Sequence, residues 1–221
     1  MNIPTEDPLN IATEVVAYLL STVGALIPVV NPFSTAPMVV SMTMSMPDTE
    51  RAAQIRRGCI YMFCILTAFV AAGSLIMSFF GISIPGLRIA GGLVIAFVGF
   101  RMLFPGQEAS DAGPNTNTAT RDISFSPLAM PSLAGPGSIA VVIGMSSTAH
   151  ASSFVFLRHA LIVLGIALTA VFCWVVLRAA TKFSKYLGTN GVHALTGIMG
   201  FLLVCIGVQF VINGVSHLHD G

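Results

Sequence analysis

From Val15 to Pro47 the chain runs 33 residues without a charged side chain. As one helix this stretch would be ~50 Å long, at 1.5 Å per residue. A bilayer core is only ~30 Å thick and is crossed by ~20 apolar residues. Such a run must tilt, bend or break, and its own residues supply the break. "PVVNPFSTAP", Pro28 to Pro37, sets three prolines, an asparagine, a serine and a threonine within it. Pro32 has no N–H and a fixed φ, so it disrupts a helix interior but suits a first helical turn. Asn31 before it is a strong N-cap type. Asn31-Pro32 therefore predicts a new half-helix starting inside the membrane.

The rest of the chain has the same solvent. It is 55% hydrophobic and 9% charged, with a mean hydropathy of +0.87. Soluble domains carry about 25% charged residues, so lipid must cover most of this surface. Six apolar segments follow one another: within Ile11–Ser45, Gly58–Phe80, about Leu87–Phe104, within Phe125–Thr148, about Arg158–Leu177 and about Ala194–Val215. They are long and apolar on all sides, unlike short alternating barrel strands. The expected fold is an all-α integral membrane protein of six transmembrane helices. The N-terminus lacks the positive n-region of a signal peptide, so the first segment reads as a retained span. The stretch Asp48–Gly58 reads as a short cytoplasmic helix capped by Asp48 or Thr49.

Basic residues set the orientation. With the N-terminus outside, Arg51, Arg56, Arg57, Arg101, Arg121, Arg178, Lys182 and Lys185 all face inward. Only Arg88 and Arg158 face outward. Eight against two is the positive-inside pattern, and it places both termini in the periplasm. Glu14, Arg88, Arg101, Arg158 and Arg178 lie near span ends, where long side chains snorkel.

The two halves echo each other. Asn31-Pro32-Phe33-Ser34-Thr35-Ala36 aligns with Gly135-Pro136-Gly137-Ser138-Ile139-Ala140, 104 residues on. Gly92, Gly99 and Arg101 align with Gly200, Gly207 and Gln209, 108 residues on. The same order in both halves suggests a duplicated three-span unit. Three is odd, so the second copy enters the membrane from the other side. The expectation is two inverted three-helix repeats with broken helices 1 and 4. The repeats are residues 1–105 and 123–221, joined by a cytoplasmic linker, 106–122. Inverted repeats recur in secondary transporters, whose sites lie where discontinuous helices meet near the midplane.

A half-helix that starts in mid-membrane points free N–H groups and a positive dipole end at the centre. Two such ends suit a carboxylate. Carbonyls left free where the preceding half-helices end, near Val30 and Ala134, suit an ammonium group. The candidate substrate-binding residues are Asn31, Pro32, Phe33, Ser34, Thr35, Gly135, Pro136, Gly137 and Ser138. Each alone has a structural explanation. Neighbouring helices tolerate membrane prolines, and Ser34, Thr35 and Ser138 can bond back to the helix. One break per half points to function. Gln209 and Asn213, four apart on one face, read as helix-contact groups or path-lining ones. Glycines 91, 92, 99, 197, 200 and 207 read as close-packing surfaces.

Several chemistries lack their residues. There is no HExxH, CxxC, GxSxG or phosphate-binding loop, so neither an enzyme nor ATP-driven efflux by this chain alone is expected. Cys59, Cys64, Cys173 and Cys205 all lie in apolar runs and read as packing residues. No metal or cofactor is implied, and no basic patch fits nucleic acid. The histidines lie at or beyond span ends, and no carboxylate lies within a span, so no proton relay is indicated.

"NPFSTAP", "FGISIPGLRIAGGLVIAFVGFRMLFP", "PLAMPSLAGPGSIA" and "MGFLLVCIGVQFVINGV" resemble the MarC family of bacterial inner-membrane proteins, across all six spans. The resemblance implies a multi-pass inner-membrane protein. It also implies kinship with transporters of small neutral amino acids such as glycine and alanine. Carried over, it points to Asn31–Thr35 and Gly135–Ser138, the same residues as the helix breaks. The expected partners are the lipid bilayer and a small neutral solute. The alternative is a non-transporting membrane protein, or an efflux component linked to antibiotic stress.

Overall fold

The computed structural model describes residues 8–43, 45–104, 122–150 and 155–219. Every element among them is helical: α1 (Pro8–Val30), α2 (Pro32–Met42), α3 (Asp48–Phe80) and α4 (Ile84–Leu103), a wide-turn segment Ser124–Leu133, α5 (Pro136–His150) and α6 (Val155–His219). Five stretches are long and apolar enough to cross a membrane: Thr13–Ala36, Asp48–Gly73, Ile84–Leu103, Val155–Thr181 and Gly197–Ser216. The fourth segment read from the sequence is not one helix. It contributes the wide-turn stretch and a shorter apolar helix, Pro136–Ala149. The linker positions 105–121 and residues 1–7 lie outside the described residues.

Two local expectations are corrected. The basic stretch after Pro47 is not a separate helix, because α3 runs unbroken from Asp48 to Phe80. Nothing in it breaks a helix, and apolar residues follow at once. Its N-cap is Pro47, with no side-chain cap bond; Asp48 instead pairs with Arg51 at 3.1 Å. The stretch before the second break is no regular half-helix either. Ser126 and Met130 have extended backbone (φ −127°, ψ 125° and φ −129°, ψ 125°). Each precedes a proline, Pro127 or Pro131, whose ring excludes the helical region for the residue before it. Wider turns bridge the gaps, with Leu128 N–H donating to Ile123 O and Ala134 N–H to Ala129 O.

The core is apolar and continuous. Leu26, Val39, Met62, Leu66, Ile95, Leu133, Ile162 and Leu203 are all within 1% of full burial. Phe79, Phe80, Phe97, Phe104, Phe156 and Phe201 are among the most exposed residues. That inversion is the signature of a surface solvated by hydrocarbon rather than water. Along α3 the buried positions are Ile55, Cys59, Met62, Leu66 and Val70. Along α6 they are Ile162, Ile166, Thr169, Cys173 and Leu177. The spacing is the same in both, 107 residues apart. Cys59 and Cys173 pack in this core, whereas Cys64 and Cys205 are exposed.

α4 and the C-terminal stretch of α6 touch backbone to backbone. A Cβ built on Gly92 would stand 2.5 Å from Gly207 O, and one on Gly99 would stand 2.6 Å from Gly200 O. Gly214 packs on Pro85 O and Ile89. As the α4 number rises the α6 number falls, so the two run antiparallel. Of the glycines read as packing surfaces, 92, 99, 200 and 207 lie in these contacts, Gly91 packs on Ala140 of α5, and only Gly197 has open space around it. Gly58 of α3 packs on Ser124 and Leu128, before the second break. Gly165 of α6 packs on Leu19 and Thr22, before the first.

Candidate functional site: two facing chain breaks

The first break falls where the sequence placed it. α1 ends at Val30 and α2 begins at Pro32. Between them Asn31 takes φ 42°, ψ 71°, in the left-handed region that asparagine tolerates better than most residues. Its side-chain oxygen accepts from Ser34 N–H at 3.3 Å, which is the N-cap bond. Asn31 N–H still closes the last turn of α1 on Ile27 O at 2.9 Å. Its amide nitrogen donates to Met102 Sδ at 3.6 Å, tying the break to the end of α4.

The second break lies against the first. A methyl added at Gly137 would stand 3.0 Å from Ile95 Cγ1 and 3.2 Å from Val29 Cγ1, in the last turn of α1. Ser132 Oγ lies 3.9 Å from Met38 Sδ, on α2. Gly135 O accepts from Ile139 N–H at 3.0 Å, opening α5. Having no side chain, Gly135 cannot cap its helix as Asn31 does. The two starts therefore differ: α2 uses its own amide cap, whereas α5 begins on bare backbone.

The hydroxyls have settled on the backbone. Ser34 Oγ donates to Asn31 O at 3.0 Å, and Thr35 Oγ1 donates to the same carbonyl at 3.4 Å. Ser138 Oγ donates to Leu133 O at 3.1 Å. Each hydroxyl proton is taken up by a backbone carbonyl at the break, so each keeps only its lone pairs for another partner. Among the described residues no backbone N–H at the start of α2 reaches the carbonyls of Pro28, Val29 or Val30. Those acceptors remain at the break. The bridge to the core is tight: Asn31, Pro32, Thr35, Gly137 and Ser138 are all buried, Phe33, Ser34 and Gly135 half-buried, and Pro136 exposed. Phe33 turns to α6, its ring edge-on to Phe172 at 6.2 Å.

Sequence reasoning missed Met102 and Leu133, whose sulfur and carbonyl complete the two breaks. Met102 carries no polar signal and sits 71 residues from Asn31. It also missed how the second break is anchored. Gln54 Oε1, on buried α3, accepts from Ile123 N–H at 3.1 Å. Asp122 accepts from Ser124 N–H at 2.9 Å and Ser124 Oγ at 2.5 Å. These bonds, with Arg57 nearby, hold the Asp122 carboxyl below its ordinary range. Among the described residues no group of His, Cys, Asp and Glu is placed to hold a metal ion.

No solved structure matches the chain. Known sequences do. It is 44% identical to the UPF0056 inner membrane protein MarC of Escherichia coli strain SMS-3-5, over 87% of this chain and 91% of that protein. The same identity and coverage hold for the protein of that name from E. coli K12. Residues 16–219 match the family described as MarC family integral membrane protein. At that coverage and identity, the chain belongs to the MarC family.

Proposed function

We propose that the chain is an inner-membrane secondary transporter of small neutral solutes, glycine and alanine foremost, rather than an enzyme. In this reading two inverted three-helix repeats, residues 1–105 and 123–221, meet at the two breaks, with 106–122 as a cytoplasmic linker and both termini periplasmic. The observation that carries it is reciprocity. Numbering the second half back onto the first, Gly92 and Gly99 correspond to Gly200 and Gly207. The contacts are Gly92 with Gly207 and Gly99 with Gly200. Antiparallel packing of two helices with equal glycine spacing produces this pairing, and repeats of opposite orientation would bring their third helices together in that way.

Other pairs support the same arrangement. Gly58 and Gly165 each pack on the stretch before the opposite half's break. Thr43 and Ser147, 104 apart and buried, each bond back to the carbonyl four residues earlier, Val39 O and Ile143 O. The relatives' name, inner membrane protein, supports the location and says nothing of cargo.

The geometry refines which groups would hold a substrate. With Ser34 N–H occupied by Asn31, the better carboxylate donor is the bare start of α5, at Gly137 and Ser138. The carbonyls of Pro28–Val30 are the acceptors for an ammonium group in this reading, and the two together suit a small zwitterion. Solute crosses as the repeats move against each other. Uptake of radiolabelled glycine by proteoliposomes tests the proposal: accumulation above protein-free vesicles is expected, and no flux of glycine or alanine by folded protein rejects it.

A further inference from the structure

A cavity of about 410 Å³ opens between α4, α5 and α6, lined by Arg88, Gly144, Thr148, Phe210 and Asn213 among others. Its volume is in the range of small-molecule sites. Val141 also lines it, six residues beyond Gly135, so the cavity comes within about 9 Å of helix rise of the second break. We propose that this cavity binds a small carboxylate solute, with Arg88 holding the carboxylate. The inference goes beyond the transport reading, since it concerns binding and holds whether or not solute then crosses.

Arg88 is the observation that demands a ligand. It is half-buried, and among the described residues no ion pair or hydrogen bond involves its guanidinium. The other basic residue at this end of the bundle, Arg158, is occupied by the Tyr18 ring at 5.7 Å. Among the described residues no carboxylate lines the cavity. Arg88 also stands little more than a turn into α4, which Ser83 caps, where the helix dipole adds positive potential. A cation there is the wrong sign for the helix and the right sign for a visiting anion.

Its neighbours define the rest of the ligand. Asn213 Oδ1 accepts from Gln209 Nε2 at 2.9 Å, which leaves its NH₂ as the donor group on the lining it shares with Arg88. Thr148 Oγ1 donates to Met145 O at 2.8 Å, so its oxygen is left as an acceptor for an ammonium or hydroxyl group. Gly144 is buried, yet a Cβ there would meet no atom within 4 Å. The glycine keeps the cavity open, where its first-half counterpart is Val40. Donors on Arg88 and Asn213 and an acceptor on Thr148, lining one cavity, fit a carboxylate with a short polar substituent.

Equilibrium binding to the purified full chain in detergent tests this, with radiolabelled acetate, glycine and methylammonium as probes. Acetate and glycine are expected to bind and methylammonium not. Arg88→Gln should weaken acetate at least tenfold. Gly144→Leu, which fills the cavity and keeps the guanidinium, should do the same. Arg158→Gln, the matched charge change, should alter acetate affinity less than twofold. Arg88→Lys, retaining charge without the fork, should bind between wild type and Arg88→Gln. Acetate binding by Arg88→Gln or Gly144→Leu equal to wild type overturns the proposal, as does failure of folded wild type to bind acetate. Acetate binding without glycine flux would reject the transport reading and leave this one standing. Glycine flux with Arg88-independent binding would do the reverse.

Discussion

Asn31 carries three structural duties: the left-handed turn, the α2 cap and the tether to Met102. Replacing it separates them. Asn31→Gly keeps the backbone freedom and loses the cap, which costs only a few tenths of a kcal/mol. Asn31→Ala loses the cap and also the local side-chain bonding that lets asparagine tolerate the left-handed region, together about 2 kcal/mol. Thermal melting in detergent should therefore rank wild type and Asn31→Gly close together and Asn31→Ala clearly below. The break itself was legible, because a proline at the first helical position after an asparagine cap is a local rule. What Ser34, Thr35 and Ser138 do was not. Their hydroxyls had two destinations, a ligand or a stranded carbonyl, and the choice depends on the turn each break makes. Arg88 was likewise read as snorkelling, because nothing local reveals that it borders a cavity.

At the scale of elements, the α4–α6 contact is the most sensitive to volume. A methyl on Gly207 would stand 2.5 Å from Ala96 N and Gly92 O, both backbone, so neither side can yield without the helices separating. Gly207→Ala is expected to destabilise by about 1–3 kcal/mol, the range for overpacking. Gly197→Ala, with nothing within 4 Å, should leave the melting temperature unchanged or slightly higher, as glycine is a poor helix former. The sequence placed both on packing faces, since composition shows small residues but not their distance to a partner. The wide-turn stretch was hidden for a different reason. Pro127 and Pro131 were both visible, and apolarity outweighed them. Its start rests on Asp122, which gives a pH dependence. A carboxyl whose folded pKa is lowered adds stability above its ordinary range, and loses it as pH falls through the folded value. Hydrogen exchange at the Ser124 amide should stay slow from neutral pH down to about 5. It should quicken only below about pH 4, the ordinary carboxylate value. Asp122→Ala should exchange fast throughout.

For the whole molecule, the apolar all-helical character and the first break were legible, because both follow from local composition and from the proline after an asparagine cap. Which elements touch was not, because sequence order carries no information about long-range contact. The Val29–Gly137 contact supplies that step, and it sets one break against the other. The account stands on that junction being where solute passes. Gly137→Ala probes it with a single methyl, set against flexible side-chain atoms of Ile95 and Val29 rather than backbone. Glycine counterflow should be measured in proteoliposomes holding wild type or Gly137→Ala, with each protein's melting temperature recorded. The account expects counterflow by wild type and at least a tenfold loss in the variant, with melting within a few degrees. Absence of counterflow by folded wild type, or an undiminished rate in Gly137→Ala, would contradict it.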